Sequence, residues 1–449
     1  EAMRRRVLIG DGAMGTQLQN VELDLDKDFL GLEGCNEILN DTRPDVLRDI
    51  HRRYFEAGAD LVETNTFGCN LPNLADYDIA DRIEELAYKG TKIAREVAEA
   101  VWPHLTQDFG NPSSASVQGR RARAAVDHAR EQVAALVGAE PDEIVFTSGG
   151  TEANNIAIRG AARHLATRVA VTSCVEHPAT AAPLAHLREH HDWRVHELPV
   201  DGACRVVLDE MPSGPVGLGT LILAHNETGA IQPVPELAER VHRLGGLVHA
   251  DAAQAVGKIP VAVDDLGVDL LSIAGHKLYG PKGVGALYVR RGTRVAPVVL
   301  GAGQEGGLRP GTENVALIVG LGVAAELAAK VLATEVERQS ALREALWDKL
   351  ARAVPGLVRV SPEQACLPNT LMVALPGRVG AHVLEAVGDV SASTGSACHA
   401  GVHSPNAALL AMGLDADTAL GALRLSLGRS TSIADVESAA TALARGLGG

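Results

Sequence analysis

The sequence predicts an α/β fold, with a mainly parallel sheet in a large domain and a smaller α/β domain at the carboxyl end. Three observations support this prediction. Short, continuous apolar runs alternate with helical patterns through the middle of the chain, polar residues follow each run, and a long Ala/Leu/Glu pattern begins near Leu321. Continuous apolar strands that alternate with helices indicate a parallel sheet covered on both faces.

The apolar runs of the middle region predict five strands. They are EIVF (143–146), RVAVT (168–172), LGTLILA (218–224), GLVHA (246–250) and VDLLSIA (268–274). A helical pattern runs from Thr151 to about His164, and VPELAERVHRLGG shows apolar residues at helical spacing before a Gly-Gly end. A long helix is expected over 323–353, and it leads into a last αβ module that ends near Gly449.

Length and charge limit the possible functions. A chain of 449 residues is expected to form two to three domains. The net charge of −15 argues against a nucleic acid or an anionic membrane as partner. We find no signal peptide and no run of about 20 apolar residues, so a cytoplasmic protein is expected.

The cysteines fit neither a zinc site nor a disulfide framework. The six are scattered, and no CxxC pair occurs among them. No metal is therefore predicted, although a single cysteine can still act as a nucleophile.

Chemically active residues follow the predicted strands, where ligands bind in an open α/β sheet. The stretches are TSGGTEANN (147–155), SCVEHPAT with His177, HNETG with Asn226, DAAQ with Asp251 and Gln254, and GHK with Lys277. Each has an ordinary structural interpretation on its own, such as a glycine turn with a capping threonine, a packed histidine or a solvated lysine.

Together these stretches match the needs of pyridoxal phosphate. That cofactor requires a phosphate cradle, a lysine for a Schiff base and a carboxylate that keeps the pyridine nitrogen protonated. It also gains from a flat group stacked on its ring, which His177 offers.

Residues 102–449 resemble the class V, fold-type I pyridoxal-phosphate enzymes, specifically the cysteine desulfurase and selenocysteine lyase family. The matching stretches, in the family order, are FGNPSS (109–114), TSGGTEANN, VEHPA (175–179), NETG (226–229), HADAAQ (249–254), GHKLYGPKGVGALY (275–288), RPGTEN (309–314), GSACHAG (395–401) and LRLSLGRST (423–431). The resemblance implies a seven-stranded, mainly parallel sheet in the large domain.

The resemblance also implies roles for residues around the cofactor ring. Lys277 would hold the cofactor as a Schiff base and move the Cα proton, Asp251 would pair with the pyridinium, and His177 would stack on the ring and take part in proton transfer. Gln254 and Asn226 would contact the cofactor's ring oxygen and the side of the cofactor where the substrate binds.

Further roles concern the phosphate and the substrate carboxylate. Gly150, Thr151 and His276 would bind the phosphate. Thr312 would reach the phosphate of a neighbouring subunit, which implies a homodimer, and Arg424 would clamp the substrate carboxylate through a bidentate contact. The resemblance further implies a sulfur-acceptor protein as partner and a part in iron–sulfur cluster assembly.

The stretch SASTGSACHAG (391–401) is rich in small residues and predicts a loop that carries Cys398. A free cysteine is more often a small buried hydrophobe. The resemblance favours a nucleophile, whose thiolate attacks the substrate sulfur and keeps it as a persulfide. A metal site with His399 and His403 is disfavoured, because no second ligand pair has zinc spacing.

The chain departs from this family at its amino end. Residues 3–100 resemble the first part of the homocysteine methyltransferase domain of cobalamin-dependent methionine synthase, in IGDGAMGTQLQ (9–19), EGCNEILNDTRPDVLRDIHRRYFEAGADLVETNTFGCN (33–70) and LADYDIADRIEELAYKGTKIAREVA (74–98). They imply an incomplete βα-barrel, since such a barrel takes about 250 residues. The zinc-binding Cys-Cys stretch of that family is absent, so no methyltransferase activity is expected.

We predict three parts: a methyltransferase-like segment over 1–101, a cofactor-binding large domain over 102–335 and a small domain with the Cys398 loop over 336–449. One smaller departure is Ala274, where many desulfurases carry a phosphate-binding serine. Besides a desulfurase or selenocysteine lyase, three hypotheses stay open: a class V aminotransferase, a catalytically impaired dimeric scaffold and a bifunctional methyltransferase.

Overall fold

A computed structural model describes residues 97–387, 390–394, 397–399 and 402–448, all within the compact unit Ile93–Gly449. The resemblance of residues 3–100 therefore lies almost wholly outside the described residues. The first described segment is helical over 97–106. The boundaries 101/102 and 335/336 stay predictions.

A seven-stranded sheet forms the centre of the large domain and confirms the predicted fold class. Its strands are β1 (Ile144–Thr147), β2 (Val169–Ser173), β3 (Arg194–Leu198), β4 (Leu218–Ile222), β5 (Leu247–Asp251), β6 (Leu270–Ala274) and β7 (Gly285–Val289). Their order across the sheet is β1-β7-β6-β5-β4-β2-β3. Only β7 is antiparallel to its neighbours, so the five predicted strands share one direction.

Helices cover this sheet. They are α1 (Val117–Val137), α2 (Gly150–Asn155), α3 (Pro178–His190), α4 (Val234–Arg243) and α5 (Val263–Leu266). The predicted helix after β1 is present, but it changes after α2 into one π-helical turn, Ile156–Gly160. Helix α4 buries Val234, Leu237, Ala238 and Val241, the residues whose spacing predicted it.

The long helix α6 (Val315–Ala353) begins eight residues earlier than the pattern predicted. Asn314 caps it, because its side-chain oxygen accepts from the N–H of Leu317 at 3.3 Å. By length and composition alone, α6 contains a window apolar enough to cross a membrane, a run that the sequence analysis did not recognise. Half of that window is buried within the protein, which is typical of a core helix.

The small domain contains a second sheet. Its strands are β8 (Val358–Arg359), β9 (Thr370–Ala374), β10 (Ser393–Thr394) and β13 (Ala422–Ser426), all antiparallel, in the order β10-β13-β9-β8. Strands β11 (Ala397–His399) and β12 (Val402–Ser404) form a separate hairpin. The helices are α7 (Gly380–Ala386), α8 (Ala407–Ala411), α9 (Ala416–Leu420) and α10 (Ile433–Gly448).

The small domain has its own hydrophobic core. Its buried members include Leu342, Leu346, Leu371, Leu423 and Leu443. The carboxyl half of α6 and helix α10 supply much of this core, so α6 joins the two domains through one continuous helix.

Candidate active site

The parallel strands bring the predicted site residues to one edge of the large sheet. Asp251 is the last residue of β5, and the turn that contains Lys277 follows the neighbouring strand β6. Asn226 follows β4, and His177 follows β2. Because β2, β4, β5 and β6 are adjacent and parallel, these residues emerge at the same end of the sheet.

Asp251 is a buried carboxylate held by neutral donors. Its side chain accepts from the Asn154 amide at 2.7 Å, from the Thr180 hydroxyl at 3.5 Å and from the N–H of Ala253 at 3.0 Å. Only 3% of Asp251 is exposed. Within the described residues no cation pairs with it, and a buried carboxylate is costly without a positive partner.

Lys277 lies at the end of a 3₁₀ turn, Gly275–Lys277, directly after β6. Burial and the charge of Arg424 lower the pKa of its amine. None of the described residues accepts a hydrogen bond from that amine. A lysine without an ion partner and with a lowered pKa is available for covalent chemistry. The pKa of neighbouring His276 is also lowered, by burial and then by the Lys277 charge.

His177 caps helix α3. Its Nδ1 accepts from the N–H of Ala179 at 3.1 Å, which leaves Nε2 as the protonated nitrogen of the neutral ring. The residue is exposed, and no described aromatic ring stacks on it. The cap fixes the position of the imidazole at the end of β2.

Gly150 and Thr151 begin α2, where the first N–H groups have no intrahelical acceptor. A Cβ added at Gly150 would lie 3.3 Å from the Cβ of Ala274, so this helix start packs against the end of β6. One N–H group of the predicted phosphate site is already occupied, because the N–H of Ser148 donates to the Glu152 carboxylate. Glu152 also pairs with Arg309, at 3.3 Å.

Arg424 approaches the site from strand β13 of the small domain. Its guanidinium donates to the backbone oxygen of Asn226 at 2.9 Å. Its Nε is buried without a hydrogen-bond partner among the described residues. A half-satisfied guanidinium beside Lys277 suits an anion such as a carboxylate.

Two predicted residues are placed differently. Thr312 is exposed in the loop before α6, and no contact joins it to the other predicted residues that the structure describes. Cys398 is the middle residue of β11, and it lies opposite His403 of β12 in the register of the hairpin. The loop prediction for 391–401 is therefore only partly correct, because β10 and the hairpin give it regular structure.

Four residues that complete the site were not predicted from the sequence: Asn154, Glu176, Thr180 and Lys258. Asn154 and Thr180 hold Asp251. Lys258 donates to the Oε1 of Gln254 at 2.8 Å. Gln254 and Lys258 lie in a non-helical turn after β5, so helical spacing does not predict their contact.

Glu176 joins the ends of β2 and β4. Its Oε1 accepts from the Ser173 hydroxyl at 2.6 Å and from the N–H of Ile222 at 3.0 Å. Its Oε2 is buried and has no partner among the described residues. Burial raises the pKa of Glu176 to about 8, and the charge of Asp251 adds to this effect. With this pKa, the protonated form of Glu176 is favoured at pH 7.

Glu176→Gln is expected to make the protein less sensitive to alkaline pH. The folded-state pKa of about 8 exceeds the unfolded value near 4.5, so the folded state binds more protons between these values. Wild-type stability then falls across this window by about 1.4 kcal/mol per pH unit from this group. Urea unfolding at pH 5, 6, 7 and 8 should show the variant gaining free energy of unfolding relative to wild type as the pH rises.

The matched control for this change is Glu337→Gln, on an exposed position of α6. Its free energy of unfolding should change with pH in the same way as that of the wild type. An unchanged difference between wild type and Glu176→Gln from pH 5 to pH 8 would show that Glu176 is ionised in the folded protein.

The described residues fit pyridoxal phosphate. Among them, buried Asp251 lacks a positive partner, which a protonated ring nitrogen would supply. None of them accepts from the Lys277 amine, and the N–H groups of Gly150 and Thr151 can donate to a phosphate. The arrangement can therefore bind an anionic aromatic aldehyde covalently and hold a substrate carboxylate at Arg424.

Comparison with known proteins places these observations in context. A family model described as aminotransferase class-V matches residues 89–438. The chain is 43% identical over 358 residues to a cysteine desulfurase of Trichormus azollae, with 77% of this chain and 88% of that protein covered.

Two solved structures are also similar. A NifS-like protein has a TM-score of 0.72 at 33% identity, with 78% of this chain and 94% of that chain covered. A structure of SspA in complex with cysteine has a TM-score of 0.64 at 33% identity, with 74% and 94% covered.

Proposed function

The chain belongs to the cysteine desulfurases, within the class-V aminotransferase family, and on that premise we propose that it removes sulfur from L-cysteine with pyridoxal phosphate. The products are L-alanine and a persulfide on Cys398. The observation that carries the proposal is the buried Asp251 carboxylate, held only by neutral donors and placed beside the strand that leads to Lys277.

The bound cofactor withdraws electrons from the substrate Cα and so makes its proton removable. Asp251 holds the positive charge that this withdrawal requires. Lys277, with its lowered pKa, accepts and returns the proton. Arg424 holds the substrate carboxylate, and the imidazole of His177 covers the ring.

Cys398 receives the sulfur. Its thiolate forms a bond to the substrate sulfur, the sulfur–carbon bond breaks, and that electron pair stays with the carbon. The carbon then takes up a proton to give alanine. With selenocysteine the same cleavage would release zero-valent selenium, which an added thiol would reduce to selenide, as the resemblance implies.

The other described cysteines are poor nucleophiles. Burial raises the pKa of Cys174, Cys204 and Cys366, and the pKa of Cys204 reaches about 12. A thiol with a raised pKa contains little thiolate at neutral pH, and the thiolate is the attacking species. This supports Cys398 as the sulfur-carrying residue.

We further propose that the protein is a homodimer to whose neighbouring site Thr312 contributes, and that an acceptor protein takes the sulfur. The large domain would cover 102–335 and the small domain 336–449. Residues 3–100 would form a partial methyltransferase-like segment without that activity, since the sequence has no Cys-Cys pair.

The test is the visible spectrum of the purified protein with L-cysteine and an added reducing thiol, which releases the persulfide sulfur as sulfide, with alanine and sulfide assayed in the same tube. We expect a cofactor band that shifts while alanine appears. Cys398→Ser should lose at least about 100-fold in cysteine turnover, since a hydroxyl is a far weaker nucleophile than a thiolate. Cys174→Ser should keep wild-type activity.

The other outcomes are distinct. A protein that stays colourless after pyridoxal phosphate is added would favour a scaffold. A Cys398→Ser variant with full cysteine activity would exclude the persulfide. Release of selenium that survives in Cys398→Ser would favour a selenocysteine lyase, and amino-group transfer to a keto acid would favour an aminotransferase.

A further inference from the structure

The turn after β5 holds Gln254 and Lys258 against the Lys277 segment. The N–H of Val256 donates to Ala252 at 3.1 Å, and the N–H of Lys258 donates to Ala255 at 3.0 Å. Gly257 has a φ of 76°, and a Cβ there would lie only 3.0 Å from the Cβ of Leu278, the residue after Lys277. The turn is therefore rigid and packs directly on the segment that carries the reactive amine.

Lys258 determines which way the Gln254 amide faces. Its ammonium has donors and no acceptor, so it must face the amide oxygen, and it does so at 2.8 Å. The amide nitrogen of Gln254 is then directed away from Lys258, and no described residue accepts from it. The free end of Gln254 is thus a hydrogen-bond donor.

Lys258 also adds positive charge to the site. Burial lowers the pKa of its amine to about 8, with smaller effects from the charges of Lys277 and Arg424. No carboxylate among the described residues pairs with Lys258. The charges of Lys258, Lys277 and Arg424 therefore act on the same part of the site, which favours anionic groups there.

We propose that Lys258 is a positioning residue that acts through Gln254: it holds the amide so that its NH₂ group donates to the cofactor's ring oxygen. The inference rests on the proposed function, because pyridoxal phosphate supplies that oxygen. Lys258 touches neither the substrate nor the reacting atoms in this arrangement. Its effect is on the orientation of Gln254 and on the charge around the ring.

The test is the pH titration of the cofactor's visible band without substrate. Lys258→Met removes a donor and a positive charge, and both losses favour the protonated form of the bound cofactor, so the midpoint should rise by about one pH unit. Gln254→Leu should raise it similarly. The double variant should shift no further than the larger single shift, since both changes remove one interaction.

Two more variants keep the test independent of folding. Gln254→Glu keeps a partner for Lys258, but its carboxylate cannot donate to the ring oxygen and adds a negative charge, so its midpoint should rise at least as much as in Gln254→Leu. Lys258→Arg keeps the charge and the donors and should restore most of the wild-type midpoint. Lys330→Met, at an exposed position of α6, is the matched control and should not shift.

Each result has one meaning. A Lys258→Met protein that is folded by circular dichroism and titrates like wild type would overturn the inference, as would additive shifts in the double variant. A wild-type protein that binds no pyridoxal phosphate would overturn the proposed function itself. A wild-type protein with a cofactor band, together with the expected midpoint shifts in the single and double variants, would support both the proposed function and the role of Lys258.

Discussion

Lys277→Arg is expected to lower alanine formation from cysteine by at least about 10⁴-fold, the upper range for loss of one acid–base group. A guanidinium stays protonated at any working pH, so it can neither bond to an aldehyde nor take up the Cα proton. Lys277 has the opposite properties, because burial and Arg424 lower the pKa of its amine.

The measurement combines an assay with mass spectrometry. After borohydride reduction, the wild-type peptide that contains Lys277 should carry the mass of the cofactor, and the variant peptide should not. Lys330→Arg, on the exposed face of α6, should keep both the activity and the adduct on Lys277. An adduct on another lysine of the wild-type protein would refute the assignment.

Glu305→Ala is expected to lower the free energy of unfolding by about 3–5 kcal/mol, the usual cost of leaving a buried charge unpaired. The Glu305 side chain is 1% exposed and bonds Arg130 twice, at 2.6 and 2.8 Å. It also accepts the N–H of Phe146 in β1 at 2.7 Å. With a φ of 49°, Glu305 occupies the left-handed region, so these bonds also hold a strained backbone.

Urea unfolding measures this loss, and two controls show its cause. Glu239→Ala removes one member of an exposed pair with Arg243 and should cost at most about 1 kcal/mol. The double variant Arg130→Met with Glu305→Leu should recover part of the loss, because it removes both charges. An equal loss in Glu239→Ala and Glu305→Ala would contradict the buried-pair explanation.

The sequence predicted the parallel strands and the residues at their ends because both depend on local patterns. A continuous apolar run specifies a buried strand, and the sheet geometry then brings Asn226, Asp251 and Lys277 to one edge. Strand β7 was not predicted, because its stretch was assigned only to the cofactor motif. Strand β7 lies antiparallel between β1 and β6, and this pairing depends on contacts between distant parts of the chain, which hydrophobic periodicity does not predict.

The supporting residues of the site were harder to predict. Asn154 and Asp251 are 97 positions apart, and their contact depends on how α2 packs on the end of β5. The raised pKa of Glu176 could not be predicted, because it comes from burial between the ends of β2 and β4. The Glu152 contact with the N–H of Ser148 likewise depends on side-chain direction.

The pairing of β10 with β13 fixes the length of a tether. Ser393 lies opposite Arg424 in the register of these strands, and Thr394 is the last residue of β10. Cys398 is four positions after Thr394, so their Cα atoms can be at most about 14 Å apart. If Cys398 carries the sulfur as proposed, this distance keeps the sulfur near strand β13, on which Arg424 lies. An acceptor that takes the sulfur would then have to reach Cys398 at the surface of the small domain.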